Sequence, residues 1–221
     1  AGTRRRVVER GDAGRMMTRP VRLLLFGAGL LATAATLGRR SHAVTLPDGT
    51  VCPHPGTRVL FIGDSNGVGL AGTAFGAKAP IVELAAACGT PLHVDVLGGM
   101  GAPYFAGRIG ADLAAARPTV TVVNLAGNDY RRNDGEHVLE SVQAITAAVR
   151  EAGSKLIWLE PPSFPFPDGP GVVQMWLAEH PTVFPASAYS DLPRASDGIH
   201  YPLSSYEIWA GRLWKFIAER A

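Results

Sequence analysis

Cysteine is scarce in this chain: only Cys52 and Cys88 occur among 221 residues. Two cysteines cannot supply a four-cysteine zinc site or the several cross-links of a disulfide-built scaffold. The six histidines are scattered, and no two stand at the spacing of a helical metal-binding motif. The sequence therefore indicates no metal ion or other cofactor, and we expect none.

Basic residues are also few outside the N-terminus. Nine of the 21 Lys and Arg residues lie within residues 1–40, and the remaining chain carries 12 basic against 17 acidic side chains. Binding to nucleic acid requires clustered Lys and Arg that neutralise phosphates. We therefore expect no nucleic-acid partner.

Long apolar runs are missing too. The longest stretch without a charged residue, Leu23–Gly38, has 16 residues, whereas a membrane-spanning helix needs about 20. Arg19 and Arg22 precede it, and Ser41-His42-Ala43 follows with small residues at the two positions that a signal peptidase reads. We predict that residues 1–43 are an export signal and that the folded domain spans residues 44–221.

This prediction has two alternatives. Arg39 and Arg40 are atypical before a cleavage site, so an uncleaved membrane anchor stays open, as does a buried core helix. We expect translation to start at Met16 or Met17, which places residues 1–15 upstream of the start. The domain is then periplasmic, secreted or membrane-anchored outside the cytoplasm, and it meets the membrane only through an uncleaved N-terminus.

Short apolar runs alternate with helical segments in the rest of the chain. Strands are predicted at Arg58–Ile62, His93–Leu97, Val120–Leu125 and Lys155–Glu160, and helices at Ala71–Ala87, Tyr104–Ala116, Glu136–Ala152 and Ser204–Glu219. The proline-rich stretch Pro161–Pro185 is predicted to be a loop, either simply packed on the surface or forming a wall of the substrate site. Alternating strands and helices predict one α/β domain with a parallel, doubly wound sheet.

Three polar motifs follow predicted strands. Gly63-Asp64-Ser65 follows the first strand, Gly98-Gly99-Met100-Gly101 the second and Gly127-Asn128-Asp129 the third. Ligands bind beyond the carboxyl ends of the strands in open parallel sheets. We therefore expect these motifs to converge on one rim, together with Asp197-Gly198-Ile199-His200, which precedes the last helix.

These motifs contain the groups needed for acyl transfer through a serine ester. Ser65 is a candidate nucleophile, His200 a base, Asp197 the group that orients it, and Asn128 an amide donor for an oxyanion. Each residue also has a common structural alternative, because Ser65 can cap a helix and Asp64 and Asn128 can satisfy turn backbone. The three-residue spacing of Asp197 and His200 favours the catalytic interpretation, since a tight turn lets the carboxylate bind one ring nitrogen.

Taken together, the motifs resemble the SGNH/GDSL hydrolase superfamily over most of the chain after the leader. The four blocks are read as Phe61-Ile62-Gly63-Asp64-Ser65-Asn66, a glycine within 98–101, Ala126-Gly127-Asn128-Asp129, and Asp197-Gly198-Ile199-His200. Ala126 stands where the family has a glycine. The resemblance implies a three-layer α/β/α sandwich with a flavodoxin-like sheet.

The resemblance also implies a mechanism. Ser65 would attack an ester carbonyl, His200 would transfer the proton, and Asp197 would hold the imidazole. The backbone amides of Ser65 and Gly101 and the side chain of Asn128 would form the oxyanion hole, with Gly98 and Gly99 as competing choices for Gly101. The expected substrate is a small-molecule or glycan ester with a short acyl or acetyl group.

Three other functions stay open. An O-acyltransferase would use the same site. Gly67-Val68-Gly69-Leu70-Ala71-Gly72 matches the G-x-G-x-x-G pattern of dinucleotide-binding loops, although Gly63-Asp64-Ser65-Asn66 separates it from the strand. A non-catalytic glycan-binding protein is the third alternative.

The two cysteines flank the first predicted strand and helix. Cys52 precedes the strand, and Cys88 ends the helix that returns from it, so both fall at the same sheet edge. They are predicted to form either a disulfide or two buried thiols.

Overall fold

The computed structural model describes residues 44–72, 79–125, 127–129, 135–161, 176–177, 179 and 182–221. The predicted export segment lies outside these residues. Of the helices that are described, none combines the length and the apolar character needed to cross a bilayer.

The core of the domain is a five-stranded parallel sheet. A short antiparallel hairpin of β1 (Val44–Thr45) and β2 (Val51–Cys52) precedes it. The sheet strands are β3 (Val59–Gly63), β4 (Leu92–Val96), β5 (Val120–Asn124), β6 (Lys155–Leu159) and β7 (Val183–Phe184). Their order is β4-β3-β5-β6-β7, which is the flavodoxin-like order and confirms the predicted sheet.

Helices cover both faces of this sheet. They are α1 (Ser65–Ala71), α2 (Pro80–Ala87), α3 (Ala102–Ala106), α4 (Ile109–Ala116), α5 (Gly135–Glu151) and α6 (Leu203–Ala218). Val59 and Phe61 of β3 join the apolar cluster under α1, α2 and α6, whereas Leu60 and Ile62 join that under α3, α4 and α5. This alternation produces the predicted three layers.

Two predicted helices are each divided in the structure. The first helix begins at Ser65 rather than Ala71, because Asp64 caps it, and α2 starts anew at Pro80, a favoured first helical residue. The predicted helix 104–116 is α3 and α4, which separate at Gly107, a poor helix former.

Three short strands escaped prediction. The hairpin of β1 and β2 has two residues per strand, and β7 lies within the stretch predicted as a loop. Val183 pairs with Trp158, so β7 gains its hydrogen bonds from the edge of β6 rather than from any pattern of its own. Two residues are too few for alternation to be visible in a sequence.

Of the two alternatives for the cysteines, the structure has the disulfide. Cys52 and Cys88 are bonded, with their Cα atoms 5.4 Å apart, well within the range that a disulfide allows. Cys88 caps the C-terminus of α2, four residues before β4 begins. The bond therefore lies at the N-terminal edge of the sheet, about 16 Å from the edge at which Ser65 begins α1, given five residues per strand.

Reduction of this disulfide is expected to lower thermal stability without changing catalysis. The sequence separation of 36 residues corresponds to a stabilisation of about 3–4 kcal/mol through restriction of the unfolded chain, or roughly 10 °C in Tm for a domain of this size. Thermal melting and esterase assays at 25 °C, with and without reductant, test this. An unchanged Tm, or a loss of kcat in protein that keeps its circular dichroism, would contradict the placement of the bond.

Candidate active site

Ser65 is the first residue of α1, directly beyond the C-terminal end of β3. Asp64 caps the helix: its Oδ1 atom accepts a hydrogen bond from the backbone amide of Asn66 at 3.0 Å. Gly63 allows the turn to be this tight, since a Cβ there would lie 2.7 Å from Cα of Gly67. The half-buried Ser65 is thus fixed at the rim of the sheet by backbone geometry rather than by its own side chain.

The glycine-rich turn after β4 runs beside Ser65. The amide of Leu97 donates to the carbonyl of Gly63 at 2.9 Å and continues the pairing of β3 with β4 past their ends. A Cβ on Gly98 would lie 3.8 Å from Cβ of Ser65. Gly98 therefore lies within van der Waals range of the serine, while Gly99, with φ of +80°, supplies the left-handed residue of the turn.

Gly101 contacts the third motif instead. A Cβ at Gly101 would lie 1.9 Å from Oδ1 of Asp129, so only glycine fits against that carboxylate. Asp129 also accepts a hydrogen bond from the amide of Ala102 at 2.9 Å, and Asn128 Nδ2 donates to the carbonyl of Met100 at 3.1 Å. The structure therefore brings Gly101 and Asn128 together, as predicted from their positions after β4 and β5.

Sequence reasoning missed the role of Asp129. This carboxylate is 2% exposed and connects the loop after β5 to the start of α3. Its position beside Asn128 was the only available signal, because its partner lies 27 residues away in the sequence.

Asp197 and His200 form a direct pair. The His200 Nδ1 atom is 2.6 Å from Oδ2 of Asp197. The backbone amides of Ile199 and His200 both donate to Oδ1 of the same carboxylate at 2.9 Å. The hydrogen bond from His200, followed by those from the two amides, holds the pKa of Asp197 well below its usual range. The carboxylate is therefore ionised and can accept the hydrogen of Nδ1, which leaves Nε2 as the acceptor in a neutral imidazole.

The loop that carries His200 is connected to α1 through α6. Tyr206 of α6 donates its hydroxyl hydrogen to Oδ1 of Asn66 at 2.8 Å. Ser65 and His200 therefore stand on segments that are in contact, although no direct hydrogen bond joins the two side chains among the described residues. The predicted wall of the site over residues 162–175 lies outside the described part of the chain.

The glycine pattern of 67–72 does not form a phosphate-binding turn. Gly67 and Gly69 lie within α1 and Gly72 caps its C-terminus, and the amide of Asn66 in the first turn already binds the Asp64 carboxylate. A Cβ on Gly69 would lie 2.2 Å from the ring of Tyr206. These glycines serve close packing, which argues against dinucleotide binding.

The described residues contain no group of three or more His, Cys, Asp or Glu side chains that could hold a metal ion.

Asp64 gives a pH dependence of stability. Burial raises its pKa to about 7, with the charge of Asp129 adding to the effect and the amides of Asn66, Gly67 and Gly127 opposing it. The folded state then binds a proton more tightly than the unfolded chain, so this contribution to stability is lost as the pH rises from about 4 through 7. Relative to the wild type, Asp64→Asn should gain up to about 1.4 kcal/mol of unfolding free energy per pH unit over that window. Urea unfolding of both proteins from pH 5 to 8 measures this. A difference in unfolding free energy between the two proteins that does not change with pH would contradict the raised pKa of Asp64.

Neither a family model nor a curated protein sequence matches the chain. Solved structures do match. A lipase/acylhydrolase from Enterococcus faecalis is 21% identical with a TM-score of 0.58, covering 74% of this chain and 97% of the other. A variant of an acetyl-xylooligosaccharide esterase from Geobacillus is 19% identical, also with a TM-score of 0.58, covering 73% and 94%.

A GDSL-like lipase from Bacteroides thetaiotaomicron is 16% identical with a TM-score of 0.58, covering 75% of this chain and 89% of the other. These structures are similar to the chain over most of their own length, and they share its sheet and helical layers. The chain has the three-layer α/β/α fold of the SGNH/GDSL hydrolases, as its motifs predicted.

Proposed function

We propose that this protein is a serine esterase that hydrolyses carboxylic esters through an acyl-enzyme on Ser65. The observation that carries the proposal is the Asp197–His200 pair, 2.6 Å apart, on a segment that packs against the helix that begins at Ser65. The fold supports it, because lipases and esterases are among the structures that share it.

In the proposed mechanism, Ser65 Oγ attacks the ester carbonyl carbon while its proton passes to Nε2 of His200. The ionised Asp197 stabilises the resulting imidazolium and keeps Nδ1 protonated. The C–O bond to the alcohol then breaks, and the alcohol leaves with the proton from Nε2. Water attacks the acyl-enzyme by the same route, with His200 as the base, and releases the acid and free Ser65.

The oxyanion is proposed to bind three N–H groups: the backbone amides of Ser65 and Gly101 and the side-chain amide of Asn128. Asn128 has two N–H bonds, one of which goes to the carbonyl of Met100, so the other is left for the substrate. Fixed donors of this kind stabilise charge that develops only in the transition state.

Replacement of Asn128 by Ala is therefore expected to lower kcat by about 10²–10³-fold with a smaller change in KM. Gln143→Ala, which removes an exposed amide from α5, is the matched control and should retain wild-type kcat. Steady-state kinetics on a p-nitrophenyl ester measures both. An effect of Asn128→Ala on KM alone would make Asn128 a substrate-binding residue.

We propose short acyl groups, including acetyl groups on a polysaccharide, as the substrate class. The support for this class is that one of the similar structures is an acetyl-xylooligosaccharide esterase. Rates across p-nitrophenyl esters of rising chain length, beside a panel of acetylated glycans, test this. A preference for long-chain esters would contradict it.

An O-acyltransferase using the same site is the second candidate. Its acyl-enzyme would react with an alcohol instead of water. Adding a glycan acceptor to the assay distinguishes the two, because a transferase forms the new ester at the expense of free acid. Retention of glycan by Ser65→Ala, with no turnover in the wild type, would instead favour a non-catalytic glycan-binding protein.

We further propose that the protein is exported, on the strength of the arginines and the apolar run before residue 44. Fractionation of an expressing cell and the mass of the recovered protein test this. Protein that stays in the cytoplasm with its leader intact would contradict export, and intact protein in the membrane fraction would indicate an uncleaved anchor.

A further inference from the structure

We propose that Tyr206 is a positioning residue that holds the His200 loop in register with the helix that carries Ser65. The proposal rests on the proposed esterase function and adds a residue that the acyl-transfer motifs do not contain. Tyr206 lies 140 residues from its partner Asn66.

The first contact is with the nucleophile segment. The Tyr206 hydroxyl donates to Oδ1 of Asn66 at 2.8 Å, and Asn66 follows Ser65 directly. Both side chains are almost completely buried, at 1% and 3% exposure. The Tyr206 ring also lies against the backbone of α1 at Gly69, where a Cβ would be only 2.2–2.6 Å from ring and hydroxyl atoms. The ring therefore fixes the separation of α1 and α6 by direct contact.

The second contact is with the base segment. Tyr201 directly follows His200 in the sequence. The rings of Tyr201 and Tyr206 pack edge to face, with centroids 5.7 Å apart. The Tyr206 ring thus packs against the segment of His200 while its hydroxyl donates to the segment of Ser65, and these two contacts together form the Tyr206 bridge.

Burial keeps this hydroxyl in the state that the bridge requires. Desolvation raises the pKa of Tyr206, and the nearby charges of Asp64 and Asp197 raise it further. The phenol is therefore protonated at neutral pH and can donate to Asn66.

The bridge has a consequence for catalysis because the described structure holds no direct hydrogen bond between Ser65 and His200. Their alignment depends on the segments that carry them. Displacement of a catalytic group by about 1 Å can cost about 100-fold in rate. Loss of the bridge should accordingly slow proton transfer from Ser65 and leave binding of the ester largely unaffected.

The test uses three variants. Tyr206→Phe removes the hydroxyl, and Asn66→Ala removes its acceptor from the other side. Each should lower kcat by about 10- to 100-fold with KM within about twofold of the wild type, and the double variant should lose little more. Tyr189→Phe is the matched control: Tyr189 is also fully buried in the aromatic cluster, but its hydroxyl donates to the carbonyl of Glu160. Its kcat should stay at the wild-type value.

A second readout does not depend on activity. The imidazole NMR signals of His200, assigned with His200→Ala, should shift in Tyr206→Phe and in Asn66→Ala, while those of the exposed His137 should not. Wild-type kcat and unmoved His200 signals in both variants would overturn the bridge. An equal loss of kcat in Tyr189→Phe would overturn it as well, because any buried hydroxyl would then matter. A wild-type protein without esterase activity would refute the proposed function instead, and the NMR signals would still decide on the bridge.

Discussion

Replacement of Ser65 by Ala is expected to lower kcat for ester hydrolysis by about 10⁵-fold or more, while the protein keeps its fold and its melting temperature. The loss is this large because no acyl-enzyme can form, and only the oxyanion donors and binding remain to stabilise the reaction. The fold should survive, since Asp64 and Gly63, rather than the Ser65 side chain, fix the turn.

The matched control is Ser204→Ala. Ser204 is exposed in the first turn of α6, close in sequence to His200, and it should be dispensable. Circular dichroism and thermal melting of both variants accompany the kinetics. Hydrolysis by Ser65→Ala at more than a few per cent of the wild-type rate would mean that another group is the nucleophile.

Replacement of His200 by Ala is expected to cost nearly as much as loss of Ser65, and the double variant Ser65→Ala/His200→Ala should be no slower than either single one. The two side chains act as a unit, because a serine hydroxyl is a poor nucleophile until a base removes its proton. His137→Ala, which removes an exposed histidine from α5, should have wild-type kinetics.

Rates of the two single variants and the double variant, measured on one ester, test this coupling. Losses that multiply in the double variant would show that His200 and Ser65 act independently. In that case the Asp197–His200 pair would have a structural role and none in proton transfer.

Much of the fold could be predicted because segments such as β3 and α5 show, within their own residues, the apolar run of a buried strand and the periodicity of a helix. The five residues of β3 are all buried. Helix α5 ends at Glu151, and Gly153, with φ of +70°, stops the helix where the sequence predicted its end. The motifs were placed correctly because they follow strands of a parallel sheet, so their meeting at one edge follows from topology alone.

Other features depend on contacts between distant residues. The two residues of β7 are a strand only because β6 offers an unpaired edge, and α1 starts at Ser65 because Asp64 binds the amide of Asn66. Position 101 requires glycine because the carboxylate of Asp129 occupies the space that a Cβ would need. The hydroxyl of Tyr206 donates a hydrogen bond to Asn66, which lies 140 residues away in the sequence. A single sequence carries no trace of such pairs, whereas the proposed catalytic residues Ser65, Asp197 and His200 stand in short motifs that can be recognised in it.

The most direct measurement is to map the adduct of a fluorophosphonate probe on the native protein by mass spectrometry of its peptides. A nucleophilic serine attacks the phosphorus, fluoride leaves, and a stable ester marks the residue. If Ser65 forms the acyl-enzyme, one adduct per chain will map to Ser65, and prior incubation with an ester substrate will slow its formation. An adduct on another residue, or none on folded protein, would contradict the assignment of Ser65 as the nucleophile.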